Sequence, residues 1–93
     1  MSSALGTTCK IRRAHPSDSL RIAYLAVQLG YECTEEQVRE RLREMQDSNQ
    51  YSVSVAELPG GQIAGWIAVC LFRSIEAGSR VEISGLIVDQ QIR

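Results

Sequence analysis

Hydrophobic and polar positions change rhythm along this chain, and each change marks an element. Residues 9–14 are short, basic and strand-compatible, and His15-Pro16 breaks them, because the residue before proline is pushed out of the helical region. Ser17 or Asp18 can cap a helix that runs through Ile22, Ala23, Tyr24, Val27 and Gln28, and Gly30 stops it. Tyr31, Glu32 and Cys33 form a short connection. Thr34-Glu35-Glu36-Gln37 is a capping box, in which hydroxyl and side-chain amide each satisfy a backbone N–H of the other residue. It opens a helix whose apolar stripe, Val38, Leu42 and Met45, falls at i, i+4 and i+7. The opposite face carries Glu35, Arg39, Glu40, Arg43 and Glu44, the pattern of a solvated surface.

The period then drops from helical to two. Tyr51, Val53, Val55 and Glu57 alternate with Ser52, Ser54 and Ala56, and Pro59-Gly60-Gly61 supplies turn chemistry, so a hairpin is predicted. Its second strand, residues 62–72, is apolar on both faces. Ile63, Ile67, Val69 and Leu71 fall on one, and Ala64, Trp66, Ala68, Cys70 and Phe72 on the other. Such a strand sits inside a sheet and asks for cover on both sides. A loop containing Gly78 leads to a last strand over residues 80–88 and a polar exit at 89–93. The expected fold class is α/β of the α+β kind, order β-α-α-β-β-β, with a mainly antiparallel sheet and two helices. Two helices cover one sheet face. The chain is therefore half of a larger domain, or it finds the missing half in another molecule.

Composition narrows the possibilities. The 93 residues are 44% hydrophobic and 23% charged, the mix of a folded chain rather than a disordered tail. Ten Lys+Arg against eleven Asp+Glu give a formal charge of −1, so no electrostatic footprint for nucleic acid or an anionic membrane is present. The most apolar run, residues 63–72, falls far short of the roughly 18 residues a membrane-spanning helix needs. Residues 1–8 are small and polar, read as a flexible lead-in without a signal-peptide core. A cytoplasmic location is the expectation. Three widely spaced cysteines, Cys9, Cys33 and Cys70, with His15 as the only histidine, predict reduced thiols and no metal site.

The last strand, Val81-Glu82-Ile83-Ser84-Gly85-Leu86-Ile87-Val88-Asp89, followed by Gln90-Gln91-Ile92-Arg93, resembles the fourth strand and exit of the GNAT superfamily of acyl-CoA-dependent N-acetyltransferases. There the pattern reads E-I-x-x-L-x-V-x-P-x-x-R and leads into an R-x-x-G-x-G/A phosphate loop. The earlier order is similar as well: a first strand opening K-I-R-R-A, two helices, and a hairpin with I-A-G-W-I in its second strand. Asp89-Gln90 stands where the family often has Asp-Pro, and Arg93 corresponds to the first residue of the loop. Residues 9–93 are thus expected to form a partial GNAT-like domain.

The resemblance implies acetyl transfer from acetyl-CoA to a primary amine on a small molecule or protein, without a metal. It implies cofactor contacts at Leu86, Ile87, Val88 and Arg93, and an acceptor pocket shaped by Tyr31 and Glu32. Glu82 occupies the family's common acidic position and is the general-base candidate, on the same strand face as Ser84, Leu86 and Val88; the alternative is a strand-end carboxylate paired with Arg80 or Arg73. Gly85 fits either a bulge that re-aims the strand or a close backbone approach. Backbone amides at a helix N-terminus are what bind a pyrophosphate in such a loop, and no glycine-rich segment of this sequence opens a helix. Inactivity of residues 1–93 alone is therefore expected. A different class remains open: a non-catalytic module that self-associates through its exposed last strand, making a homo-oligomer.

Overall fold

The computed structural model describes residues 9–91. The expected lead-in over residues 1–8, and Arg93, lie outside the described residues. Strand β1 spans Lys10–Arg13, a 3₁₀ turn covers Pro16–Asp18, helix α1 covers Ser19–Gln28 and helix α2 covers Glu35–Gln46. Strands β2 (Tyr51–Glu57), β3 (Ile63–Ser74) and β4 (Gly78–Val88) complete the order. All pairings are antiparallel and the sheet runs β1-β2-β3-β4, which puts β3 inside and β4 at an edge.

Local chemistry explains the helix ends. Neither Ser17 nor Asp18 caps α1 through its side chain. The Asp18 carboxylate instead accepts the His15 backbone N–H at 2.8 Å and both terminal nitrogens of Arg12 at 2.9 Å. Gly30 ends α1 with φ +93°, a left-handed conformation that disfavours any Cβ. Its N–H bonds to Val27 O, and that of Tyr31 bonds to Ala26 O, closing a Schellman motif. At α2 the capping box forms as the sequence predicts: Gln37 N–H donates to Thr34 Oγ1 at 3.1 Å, and Thr34 N–H to Gln37 Oε1 at 3.0 Å.

The helices cover one sheet face. Ile22, Leu25 and Ala26 of α1 and Val38 and Leu42 of α2 are buried against Val53, Val55, Ile63 and Ile87, with Met45 and Trp66 packed at the margin. Two register shifts decide which strand residues reach this core. One falls opposite Ala56/Glu57 and pairs Ile63 with Glu57, so Ile63 joins the core rather than the row of Ile67, Val69 and Leu71. The other pairs Gly85 with Ala68 but Ile83 with Val69, leaving Ser84 as the extra residue of a β-bulge. Strict alternation groups Glu82 with Ser84, Leu86 and Val88; the bulge separates them. Glu82, opposite Cys70, shares its face with Gly85 and Ile87, whereas Val81, Ile83, Leu86 and Val88 share the other. On that second face Ile11, Val81, Ile83 and Leu86 are all more than half exposed. The cover that β3 asks for is met on one side only among the described residues.

Candidate functional site

A cavity of about 440 Å³ opens between the helices and the bulged part of β4. Its helical wall is Ile22, Ala26, Val38, Leu42 and Met45, and Tyr31, Glu32 and Arg41 stand on the connection and α2. The sheet contributes Trp66 and Ala68 with residues 84–87. Tyr31 and Glu32, from the first half of the chain, therefore border one space with Leu86 and Ile87 from its end.

The β4 backbone at this site follows from one bond. Asp89 N–H donates to Ala64 O at 2.8 Å. In an antiparallel ladder hydrogen-bonded pairs alternate with non-bonded ones, so the backbone of Ile87 turns toward β3 and those of Leu86 and Val88 turn to the open edge. The side chain of Ile87 is buried in the core. Of the four expected cofactor contacts three lie among the described residues: Leu86 and Val88 keep outward N–H and C=O groups, and Ile87 spends its own within the sheet. An open strand edge can pair with a ligand that carries successive amides as another strand would.

Glu82 lies outside the cavity lining. Its carboxylate accepts from Arg80 Nε at 2.8 Å, both side chains being exposed. This is the strand-end pairing of the alternative reading. Gly85 marks a close approach: a Cβ there would meet the Trp66 ring at 2.9 Å, so only hydrogen lets the indole lie across β4 beside the bulge.

The exit of β4 is held by groups that strand and helix periodicity do not reveal. Asp89 is 3% exposed. It accepts from an Arg21 terminal nitrogen and from Gln91 N–H, while Arg21 Nε donates to Ile63 O at 3.0 Å. The Gln91 amide, followed by Arg21, holds the Asp89 carboxyl below the usual carboxylate range against the opposing effect of burial. Gln28 and Gln90 exchange two further bonds at 3.2 Å. The signal in sequence is an arginine placed between buried helix positions. Its partner, 68 residues away, carries no local mark. Among the described residues no group of three or more His, Cys, Asp or Glu is placed to hold a metal ion. No helix among them is long and apolar enough to cross a membrane.

No family model and no curated protein matches this sequence. Solved structures do. A GNAT family acetyltransferase of Staphylococcus aureus superposes with a TM-score of 0.78 at 19% identity, covering 92% of this chain and 66% of its own. An acetyltransferase of Thermus thermophilus gives 0.70 at 17% identity, covering 90% of this chain and 58% of its own. A spermidine N-acetyltransferase mutant of Vibrio cholerae gives 0.69 at 13% identity, with 91% and 52% covered. The architecture is an α+β half-layer with a bulged last strand. It is the fold of the N-terminal part of GNAT acetyltransferases, and the chain spans less than two thirds of the length of these structures.

Proposed function

We propose that this chain supplies the N-terminal part of an acyl-CoA-dependent N-acetyltransferase site acting on a primary amine, in the cytoplasm. The observation that carries this reading is the bulge at Ser84, which turns the backbone of Leu86 and Val88 outward, with Leu86 bordering a cavity shared with Tyr31 and Glu32. Acetyl-CoA supplies a thioester whose carbonyl carbon is attacked by the amine nitrogen; the C–N bond forms as the C–S bond breaks, and coenzyme A leaves as a thiolate that takes up the proton the nitrogen sheds. An outward N–H of β4 donates to the carbonyl oxygen, and that bond strengthens as negative charge grows there. Glu32, the carboxylate at the cavity, attracts the ammonium form of the acceptor and takes up its proton. Arg93 would meet the pyrophosphate. Without a glycine-rich loop opening a helix, charge-assisted bonds worth roughly 1.5–3 kcal/mol each are missing. Residues 1–93 therefore bind the pantetheine portion weakly and give no measurable transfer by themselves.

The test is amide-resolved NMR of the chain titrated with S-acetylpantetheine to millimolar concentration. Shifts centred on Leu86 and Val88, with an added diamine perturbing residues 31–33 in the parent and not in Glu32→Gln, are expected. Silence at Leu86 and Val88, or shifts confined to another surface, would sink the reading.

The exposed edge of β4 favours a second reading, a module that associates with itself through that strand.

A further inference from the structure

We propose that β4 pairs with β4 of a second copy, antiparallel, around a two-fold axis through Val81. This rests on the second reading and gives it a register. Among the described residues the strand is an edge, 11 residues long, and it carries neither proline nor lysine, the residues that commonly blunt an open edge. The bulge at Ser84 divides it into a regular stretch, residues 78–83, and the cavity-facing stretch beyond. Residues 78–83 are all exposed, so no helix overhangs them.

Charge selects the register. Directly opposed residues of an antiparallel pair share a sheet face, so an axis perpendicular to the sheet must pass through a residue rather than between two. An axis through Arg80 sets Arg80 against its own copy, and one through Glu82 sets Glu82 against its own. Like charges directly opposed are destabilising. An axis through Ser79 or Ile83 gives neither charge an opposite partner. An axis through Val81 sets Arg80 opposite Glu82 on both sides. The 2.8 Å intrastrand pair is then extended into a ring of four charges. The same register opposes the two Val81 side chains, which are 67% exposed in one copy, and joins the two open apolar faces into one.

Sedimentation equilibrium on the 93-residue chain, Arg80→Glu, Glu82→Arg and an equimolar mixture of the two variants tests this, with circular dichroism confirming that each variant is folded. The parent should dimerise at micromolar concentration. Each variant alone sets like charges across the axis and should raise the dissociation constant about tenfold or more, from two symmetry-related contacts. The mixture opposes the two carboxylates of one variant to the two guanidinium groups of the other and should recover an affinity near the parent's. A parent that stays monomeric up to about 100 µM, where even a weak edge pairing would be populated, overturns the register and the self-association reading together. A parent dimer with unchanged affinity in both variants, or a mixture as weak as its components, overturns the register alone.

Discussion

Arg12 shows how one side chain can tie three parts of the chain together. From β1 it donates to Asp18 in the turn before α1 and to Glu57 at the end of β2, each at 2.9 Å. The Arg12 guanidinium, with the His15 amide, holds the Asp18 carboxyl below the usual carboxylate range although its burial acts the other way. A depressed folded-state value means stability that is present above the unfolded value, about 3.9, and lost as pH falls through the lower folded one. Asp18→Asn should therefore cost about 1–3 kcal/mol at pH 7. The gap to the parent should narrow below about pH 4 as the parent's own carboxylate protonates. Urea unfolding of both proteins at neutral pH and near pH 3 reads this directly; a gap that does not narrow in acid would assign the effect to packing.

Elements defined by short-range chemistry are legible in the sequence itself. The capping box of α2 lies within four consecutive residues, and its two bonds form as the residue types require. Thr34→Ala should destabilise by about 0.5–2 kcal/mol, a melting-temperature drop of roughly 4–8 °C per kcal/mol in a domain of this size. An unchanged melting curve would show that packing alone holds the first turn. Alternation does not reveal the two bulges, because an extra residue is defined only against the partner strand. The bulge at Ser84 is why Glu82 parts from Leu86 and Val88, and the shift near Ala56 is why Ile63 reaches the core. Tyr31 and Glu32 border one cavity with Leu86 for a similarly non-local reason. The turn after Gly30 folds the connection back over the sheet, and no spacing in the sequence measures that distance.

At the scale of the whole molecule the two sheet faces are unlike. One holds the core, whereas the other presents Ile11, Val81, Ile83 and Leu86 to solvent. Exposed apolar side chains gathered on one sheet face mark an interaction face or an aggregation liability. A hydrophobic fluorescent dye such as anilinonaphthalene sulfonate should bind the native protein. Ile11→Glu should lower that signal while changing stability by no more than about 1 kcal/mol, as unfolding in urea can verify. Dye binding equal in parent and variant would place the sticky surface elsewhere. The order of strands and the need of β3 for cover are readable from its apolar pattern. Which face lacks it is not, since both faces of β3 read as equally apolar.

The indole that lies across Gly85 has an optical consequence. The chain contains one tryptophan, and its ring sits on the wall where β4 bends away from strict alternation. All tryptophan emission therefore originates at a single spot on that wall, with no second chromophore of its kind to dilute it. Displacement of solvent there and any sideways push on the ring are written into the colour and lifetime of the same light, so the molecule comes with a built-in gauge of its own cavity.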